Sequence, residues 1–261
     1  MFNVNHDIKQ KVQQQFGPAA GAYAKSDVHA AGESLEVLAE LVSTQPSWHA
    51  LDVATGAGHT ALLFAPRVER MVAFDLTSAM LAQAAKLAGE RNYRNVECVE
   101  GDAESLPFPD RTFDLVTCRL AFHHFPKPEK ALSEFFRVLK TGGIVGFTDN
   151  LTVEAPAAAA YYNRYETLRD PSHVEVYSAS KLQEMFAEAG FMVNASRRLS
   201  KEFEFHDWAD RQRVSEDHKQ QLLQMMRRIP QDLETLFHPR WTAETMYFCL
   251  WETVLVATKS G

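Results

Sequence analysis

The chain has 261 residues, 46% of them hydrophobic, and a formal net charge of −7. That is apolar material enough for one large domain with inserted segments, and an acidic balance with no long basic run argues against nucleic acid or an anionic membrane as the main partner. Cys98, Cys118 and Cys249 are widely spaced and give neither a disulfide framework nor a metal spacing, the start "MFNVNHDIKQKVQQQ" lacks an apolar signal core, and no run of about 18 apolar residues exists to span a bilayer, so a cytoplasmic protein without a bound metal is expected.

Residues 1–34 are polar and carry Gly17, Pro18 and Gly21. They read as lid helices, mobile without ligand and ordered with it. Val28, Ala31, Leu35, Leu38 and Val42 form the stripe of an early helix. From 48 to 150, apolar runs at 50–54, 71–75, 96–102, 113–119 and 143–150 alternate with helical patterns. In "TSAMLAQAAKLAGERN" the stripe is Met80, Leu81, Ala84, Ala85 and Leu87, with Thr77 or Ser78 as N-cap; in "PEKALSEFFRVLKTGG" Gly142 reads as the helix stop. Such alternation predicts a parallel sheet with right-handed crossovers. Further on, Ser180 and Gln183 suggest a capping box for a helix ended by Gly190. "FMVNASRRL" and "MYFCLWETVLVATK" read as late strands, and Leu222, Met225, Met226 and Ile229 share a helical face before Pro230. The expected fold is α/β: a Rossmann-like, doubly wound, seven-stranded sheet, mostly parallel with one antiparallel late strand, plus a small helical cap. The core is 35–261, with cap insertions at about 151–179 and 206–244.

The stretch "LDVATGAGHTA" (51–61) places Gly56 and Gly58 just after the first strand, at the switch point where such sheets bind ligands. As G-x-G-x-x-A it suits a dinucleotide; as D-x-x-x-G-x-G it suits S-adenosylmethionine. Asp75 ends the second strand, where an acid accepts both hydroxyls of a ribose, and so fits either ligand. Three features favour S-adenosylmethionine. Asp52 would gain nothing from a pyrophosphate but suits an ammonium and a sulfonium. Asp102, after the third strand, can accept from an adenine amine. The late strand pair suits a sheet ending in an antiparallel hairpin.

Together with "VAFDLTSAMLAQA", "GDAESLPFPDRTFDLV" and "ALSEFFRVLKTGGIV", this stretch resembles the class I S-adenosylmethionine-dependent methyltransferases, most of all the ubiquinone/menaquinone-biosynthesis type (methyltransferase type 11). The resemblance covers about 35–150 and, more loosely, 180–190. It implies that Asp52 and the backbone at Ala54, Gly56 and Gly58 hold the methionine end, Asp75 and Leu76 the ribose and adenine flank, and Asp102 and Ala103 the adenine. Arg119 would line the floor beside the sulfonium. The chain departs from the family at Ala54, where glycine is usual. "FGPAAGAYAKS" is similar to the lid start of related small-molecule enzymes, including the malonyl-carrier-protein methyltransferase of biotin synthesis, which implies that Tyr23 closes over the cofactor.

The loop "AFHHF" follows the fourth strand, where this fold places acceptor-side groups. His123 or His124 is the candidate general base, one facing the pocket and the other facing away or capping the helix at Pro128. No histidine–carboxylate cluster stands beside the pair in sequence. The loop lacks the [N/D]-P-P-aromatic signature of amino-methylating enzymes that act on nucleic acids and proteins. The expected activity is transfer of a methyl group from S-adenosylmethionine, leaving S-adenosylhomocysteine, to carbon or oxygen of a small-molecule acceptor. Homodimerisation is open. The alternatives are a nicotinamide-dependent oxidoreductase and a non-catalytic S-adenosylmethionine-binding module.

Overall fold

The computed structural model describes residues 4–24 and 32–261. Five strands, β1 (His49–Val53), β2 (Arg70–Asp75), β3 (Val96–Glu100), β4 (Phe113–Arg119) and β5 (Leu139–Leu151), run parallel in the spatial order 3-2-1-4-5. Two long strands complete the sheet: β6 (Phe191–Glu204) lies at the edge, and β8 (Met246–Lys259) enters antiparallel between it and β5. A two-residue strand, β7 (Arg240–Trp241), pairs with β8 as an eighth member. The expected sheet is thus present with one short addition. The order reverses at β1, which has β2 on one side and β4 on the other, and this opens a crevice at the strands' carboxyl ends.

The strands are apolar on both faces because helices cover both. The N-terminal helices α1 (Val4–Phe16) and α2 (Ala20–Ala24) precede the core. On one face α3 (Glu33–Leu41) and α4 (His59–Phe64) bring Leu38 and Phe64 against Ala50, Met71 and Leu115. Helix α5 (Ser78–Glu90) packs beside β2 and β3. On the other face α6 (Pro128–Val138) and α8 (Ala179–Glu188) bring Phe135 and Phe186 against Leu51, Val53, Val116 and Phe147. A second apolar cluster joins α7 (Pro156–Arg169), α9 (Phe205–Asp210), α10 (Glu216–Met226) and α11 (Gln231–Phe237) to the first half of β8. Trp208, Tyr162, Leu222 and Phe248 are buried in it. These helices come from the two predicted insertions and form a cap over the crevice.

Local readings change in several places. Val28 and Ala31 of the early stripe lie outside the described residues, while Leu35, Leu38 and Val42 are buried. Helix α6 stops at Val138, four residues before Gly142, because fully buried Leu139 leaves the helix to pair with Phe113; sheet burial there overrides helix propensity. The N-cap of α8 is Ser178, whose hydroxyl accepts from the Lys181 amide, whereas Ser180 bonds to Glu154. Strand β6 runs on to Glu204, five residues past its predicted end, because its partner β8 continues. Among the described residues no helix is long and apolar enough to cross a membrane.

Candidate active site

The carboxyl ends of β1, β2 and β4 form the floor of a cavity of about 340 Å³, a size that suits a small ligand. Helices α1 and α2 make one wall and the cap makes another.

Asp52 sits on the floor with 1% of its surface exposed. One carboxylate oxygen accepts from Thr117 Oγ1 at 2.6 Å; the other accepts from Thr55 Oγ1 at 2.5 Å and from the Ala61 amide at 3.0 Å. The side chain therefore ties β1 to β4 and to the first turn of α4. Burial pushes its pKa up to about 6, against the opposing hydrogen bonds from Thr117 and Thr55. The turn that follows is left-handed twice, at Ala54 (φ +53) and Gly56 (φ +55). For Ala54 that conformation costs roughly 1–2 kcal/mol, which is the consequence of a methyl group standing where the resembling family has glycine.

The Gly56 amide donates to Asp75 Oδ2 at 2.8 Å and the Thr77 amide to Oδ1 at 2.8 Å, so the acid ending β2 also holds the glycine turn in place. Burial raises the pKa of Asp75, and the N–H donors of Gly56 and Thr77 oppose it. Gly58 stands apart from the sequence expectation. It lies outside the cavity wall and caps α4 at φ +90, where a Cβ would come within 2.8 Å of Ala84 Cβ. Close packing of α4 on α5 requires this glycine, rather than the approach of a ligand.

Leu76, Asp102, Ala103, Arg119 and Tyr23 all line the cavity. Asp102 accepts from Lys9 of α1 at 2.7 Å, and Lys9 also reaches Glu104 at 2.6 Å. Gln13 of the same helix donates to the Leu76 carbonyl at 2.8 Å. Arg119 Nε donates to Thr60 Oγ1 at 3.1 Å, and burial lowers its pKa. The Tyr23 hydroxyl accepts from Gln212 of the cap, and its ring meets Phe16 edge-on. Helices α1 and α2 are thus latched to Asp102, to the loop after β2 and to the cap.

Both His123 and His124 line the cavity. His123 Nδ1 lies 2.5 Å from Asp149 Oδ1, and the His123 amide donates to Oδ2 at 2.9 Å. Burial alone would lower the imidazole's pKa, but the charge and hydrogen bond of Asp149 outweigh it and hold it above its ordinary value. His124 neither turns away nor caps α6, whose N-cap is Lys127. Its Nδ1 instead lies 3.1 Å from the Ser172 carbonyl, and burial, with the neighbouring His123 charge, brings its pKa down to about 4. His123 therefore does have a carboxylate partner, contrary to the reading of the loop alone. Asp149 stands 26 residues away, and the "TDN" ending β5 was the available signal. Glu166 and His173 of the cap also reach the cavity without having been read from sequence. Among the described residues no group of three or more histidine, cysteine or acidic side chains could hold a metal ion.

The arrangement joins a Rossmann-like floor, acids at or just past the carboxyl ends of the first three strands and a histidine–aspartate pair at the fourth and fifth. A family model described as "Methyltransferase domain" matches residues 51–147. An uncharacterised methyltransferase of Bacillus subtilis, YcgJ, is 36% identical over 208 residues, covering 80% of this chain and 82% of that protein. The crystal structure of Bacillus halodurans protein BH2331 superposes with a TM-score of 0.84 at 37% identity, covering 87% of this chain and 99% of that one. The ubiquinone/menaquinone biosynthesis C-methyltransferase of Ruegeria is 33% identical over 145 residues, covering 53% of this chain and 58% of that protein. The chain belongs to the class I S-adenosylmethionine-dependent methyltransferases. It is an enzyme of that class, and the oxidoreductase and non-catalytic readings give way.

Proposed function

We propose that the enzyme methylates carbon or oxygen of a small-molecule acceptor whose proton is taken by His123. The observation that carries this is the His123–Asp149 pair on the cavity wall. An aspartate on Nδ1 fixes the tautomer that leaves Nε2 with a lone pair, which is the arrangement of an oriented general base. The C-methyltransferase named among the relatives supports a phenolic or quinol-like acceptor. Three free cysteines agree with a reducing, cytoplasmic setting.

The donor set fits the cofactor. Carboxylates on the floor complement a cationic ligand, and Gly56 leaves its turn open, with nothing within 4 Å of where a Cβ would stand. Asp75 would hold the ribose, with Leu76 beside the adenine. Asp102 and Ala103 would hold the adenine edge, and the turn from Ala54 to Gly56 the methionine end, over the charge of Asp52. Arg119 and Tyr23 would close the sulfonium side. When bound, S-adenosylmethionine supplies an electrophilic methyl group. The chain's part is to align the acceptor, exclude water beneath the lid and cap, and hold the proton at His123 Nε2; alignment of this kind is worth about 7–11 kcal/mol in favourable cases.

Two measurements test this. Asp75→Ala should weaken S-adenosylhomocysteine binding by about 10- to 100-fold, because losing a hydrogen-bond pair to a charged acceptor costs about 1.5–3 kcal/mol. Titration calorimetry on the folded variant reads it, and unchanged affinity would remove Asp75 from the site. The second concerns pH. His123 must be neutral to accept a proton, and Asp149 holds its pKa above 6.5. The kcat/KM profile should therefore rise with pH through an apparent pKa above 6.5, and His123→Ala should abolish that limb. A limb that survives the substitution would assign the base elsewhere.

A further inference from the structure

The end of the cavity beneath the cap carries positive charge beyond that of Arg119. It is lined by Phe203 of β6, by Trp208 of α9 and Arg211 just after it, by Arg169 of α7, and by Leu250 and Glu252 of β8. Lys201 stands two residues before Phe203, on the same face of β6. Its Nζ lies 5.6 Å from the centroid of the Phe203 ring, and Arg211 Cζ lies 5.4 Å from it. Most of the charges here are answered by a neighbour. Glu252 supports the charge of both Arg119 and Lys201. Arg169 lies 3.4 Å from Glu166 and over the Trp208 ring at 4.2 Å. Asp170 Oδ1 accepts from the Ser172 amide at 2.8 Å and from the Ser172 hydroxyl at 2.6 Å. Arg211 is the exception: among the described residues no carboxylate lies within ion-pair distance of it, and its guanidinium sits against the Phe203 ring. On the same wall, Trp208 Nε1 and Arg169 Nε are buried donors with no hydrogen-bond partner among the described residues. Burial raises the pKa of Glu166 against the charge of Arg169, which favours its neutral form and leaves the balance at this end positive.

We infer that Arg211, set against Phe203 and on one wall with Trp208, anchors a carboxylate carried by the acceptor substrate, with an apolar segment between that carboxylate and the methyl-accepting end. A guanidinium offers a planar fork that a carboxylate meets bidentately. The partnerless N–H groups of Trp208 and Arg169 add to the positive potential that such a group would meet. A single negative charge suits the place better than a phosphate dianion, because Glu166, Asp170 and Glu252 share the wall and would repel a second charge. Phe203, Trp208 and Leu250 give the connecting segment an apolar bed. The inference rests on the proposed seating of the acceptor in this cavity.

The test uses the full chain saturated with S-adenosylhomocysteine, so that the cofactor's own carboxylate is already seated. Phenylacetate, phenylpropanoate and phenylbutanoate are each titrated against their methyl esters, which keep the shape and lack the charge. At one chain length or more the acid should bind at least about tenfold tighter than its ester, as a charge-assisted hydrogen-bond pair requires. Arg211 is exposed, so Arg211→Gln should fold; it should bring the acid to the affinity of its ester and leave the ester and S-adenosylhomocysteine unchanged. Arg211→Lys, which keeps the charge without the fork, should retain part of the preference and serves as the second variant. Esters that bind as tightly as their acids at every length, or acids that fail to bind, overturn the inference and leave the methyltransferase reading standing. A preference that survives in Arg211→Gln overturns it as well. So does a loss of S-adenosylhomocysteine affinity in that variant as large as the loss for the acid, which would give Arg211 to the cofactor's carboxylate instead. Failure of S-adenosylhomocysteine to bind the unaltered chain sinks the proposed cofactor site alone, since the comparison of acid with ester is repeated without it.

Discussion

His123→Ala should lower turnover by about 10²–10⁴ while cofactor affinity and folding stay close to those of the unaltered enzyme, the range expected when a positioned general base is lost. His123 is paired with Asp149 through Nδ1, whereas His124 is a neutral side chain tied to the loop at Ser172. His124→Ala should therefore cost stability more than rate, because it also removes the ring that Phe16 meets edge-on at 5.2 Å. Asp149→Asn provides the companion measurement. The amide can donate to Nδ1 and so stabilise the tautomer with the proton on Nε2, which cannot act as base; turnover should fall toward that of His123→Ala with S-adenosylhomocysteine binding intact. Steady-state rates with a panel of phenols and quinols, beside calorimetry with S-adenosylhomocysteine, separate the two roles. Full rates in His123→Ala would mean that the reaction needs no base or takes one from the cap.

The floor of this site was legible in sequence because its signals are local. Asp52, Gly56, Asp75 and Asp102 each fall at or just after a strand that its own apolar run announces. The histidine side was legible only in part. The adjacent histidines mark the loop, but their surroundings are set by Asp149 and Ser172, which lie 26 and 48 residues from their histidine partners and arrive through β5 and the cap. Nothing in the spacing of one loop encodes those pairings. Gly58 shows the converse limit. It reads as part of a ligand-binding turn, yet its reason is the approach of Ala84 on α5, a contact between helices that the motif does not contain. The early end of α6 at Val138 has the same origin, since the pull of the sheet on Leu139 is invisible to helix periodicity.

Asp52→Asn should stabilise the fold above pH 6 and weaken the cofactor site, and this pair of opposite effects distinguishes an electrostatic role for Asp52 from a purely structural one. Burial raises the folded pKa of Asp52 from 3.8 to about 6. A raised carboxyl pKa contributes stability that is complete below the unfolded value and is lost as pH rises through the folded one. Ionisation in the fold therefore costs on the order of 3 kcal/mol by pH 8. Asparagine avoids that cost. Its oxygen can accept from Thr55 and the Ala61 amide, and its nitrogen can donate to Thr117 Oγ1, whose hydroxyl then rotates. The unaltered enzyme should lose stability between about pH 4 and 7 relative to the variant, with Tm values diverging across that window. The charge that destabilises the fold is the one that a sulfonium and an ammonium would meet. S-adenosylhomocysteine, which keeps the ammonium and lacks the sulfonium, should therefore lose less affinity in Asp52→Asn than S-adenosylmethionine, the latter by about tenfold or more, a difference of about 1.4 kcal/mol. Equal losses for the two ligands would mean that Asp52 acts only by holding the turn between β1 and α4. A variant that is less stable at pH 8 would mean that the three hydrogen bonds outweigh the buried charge.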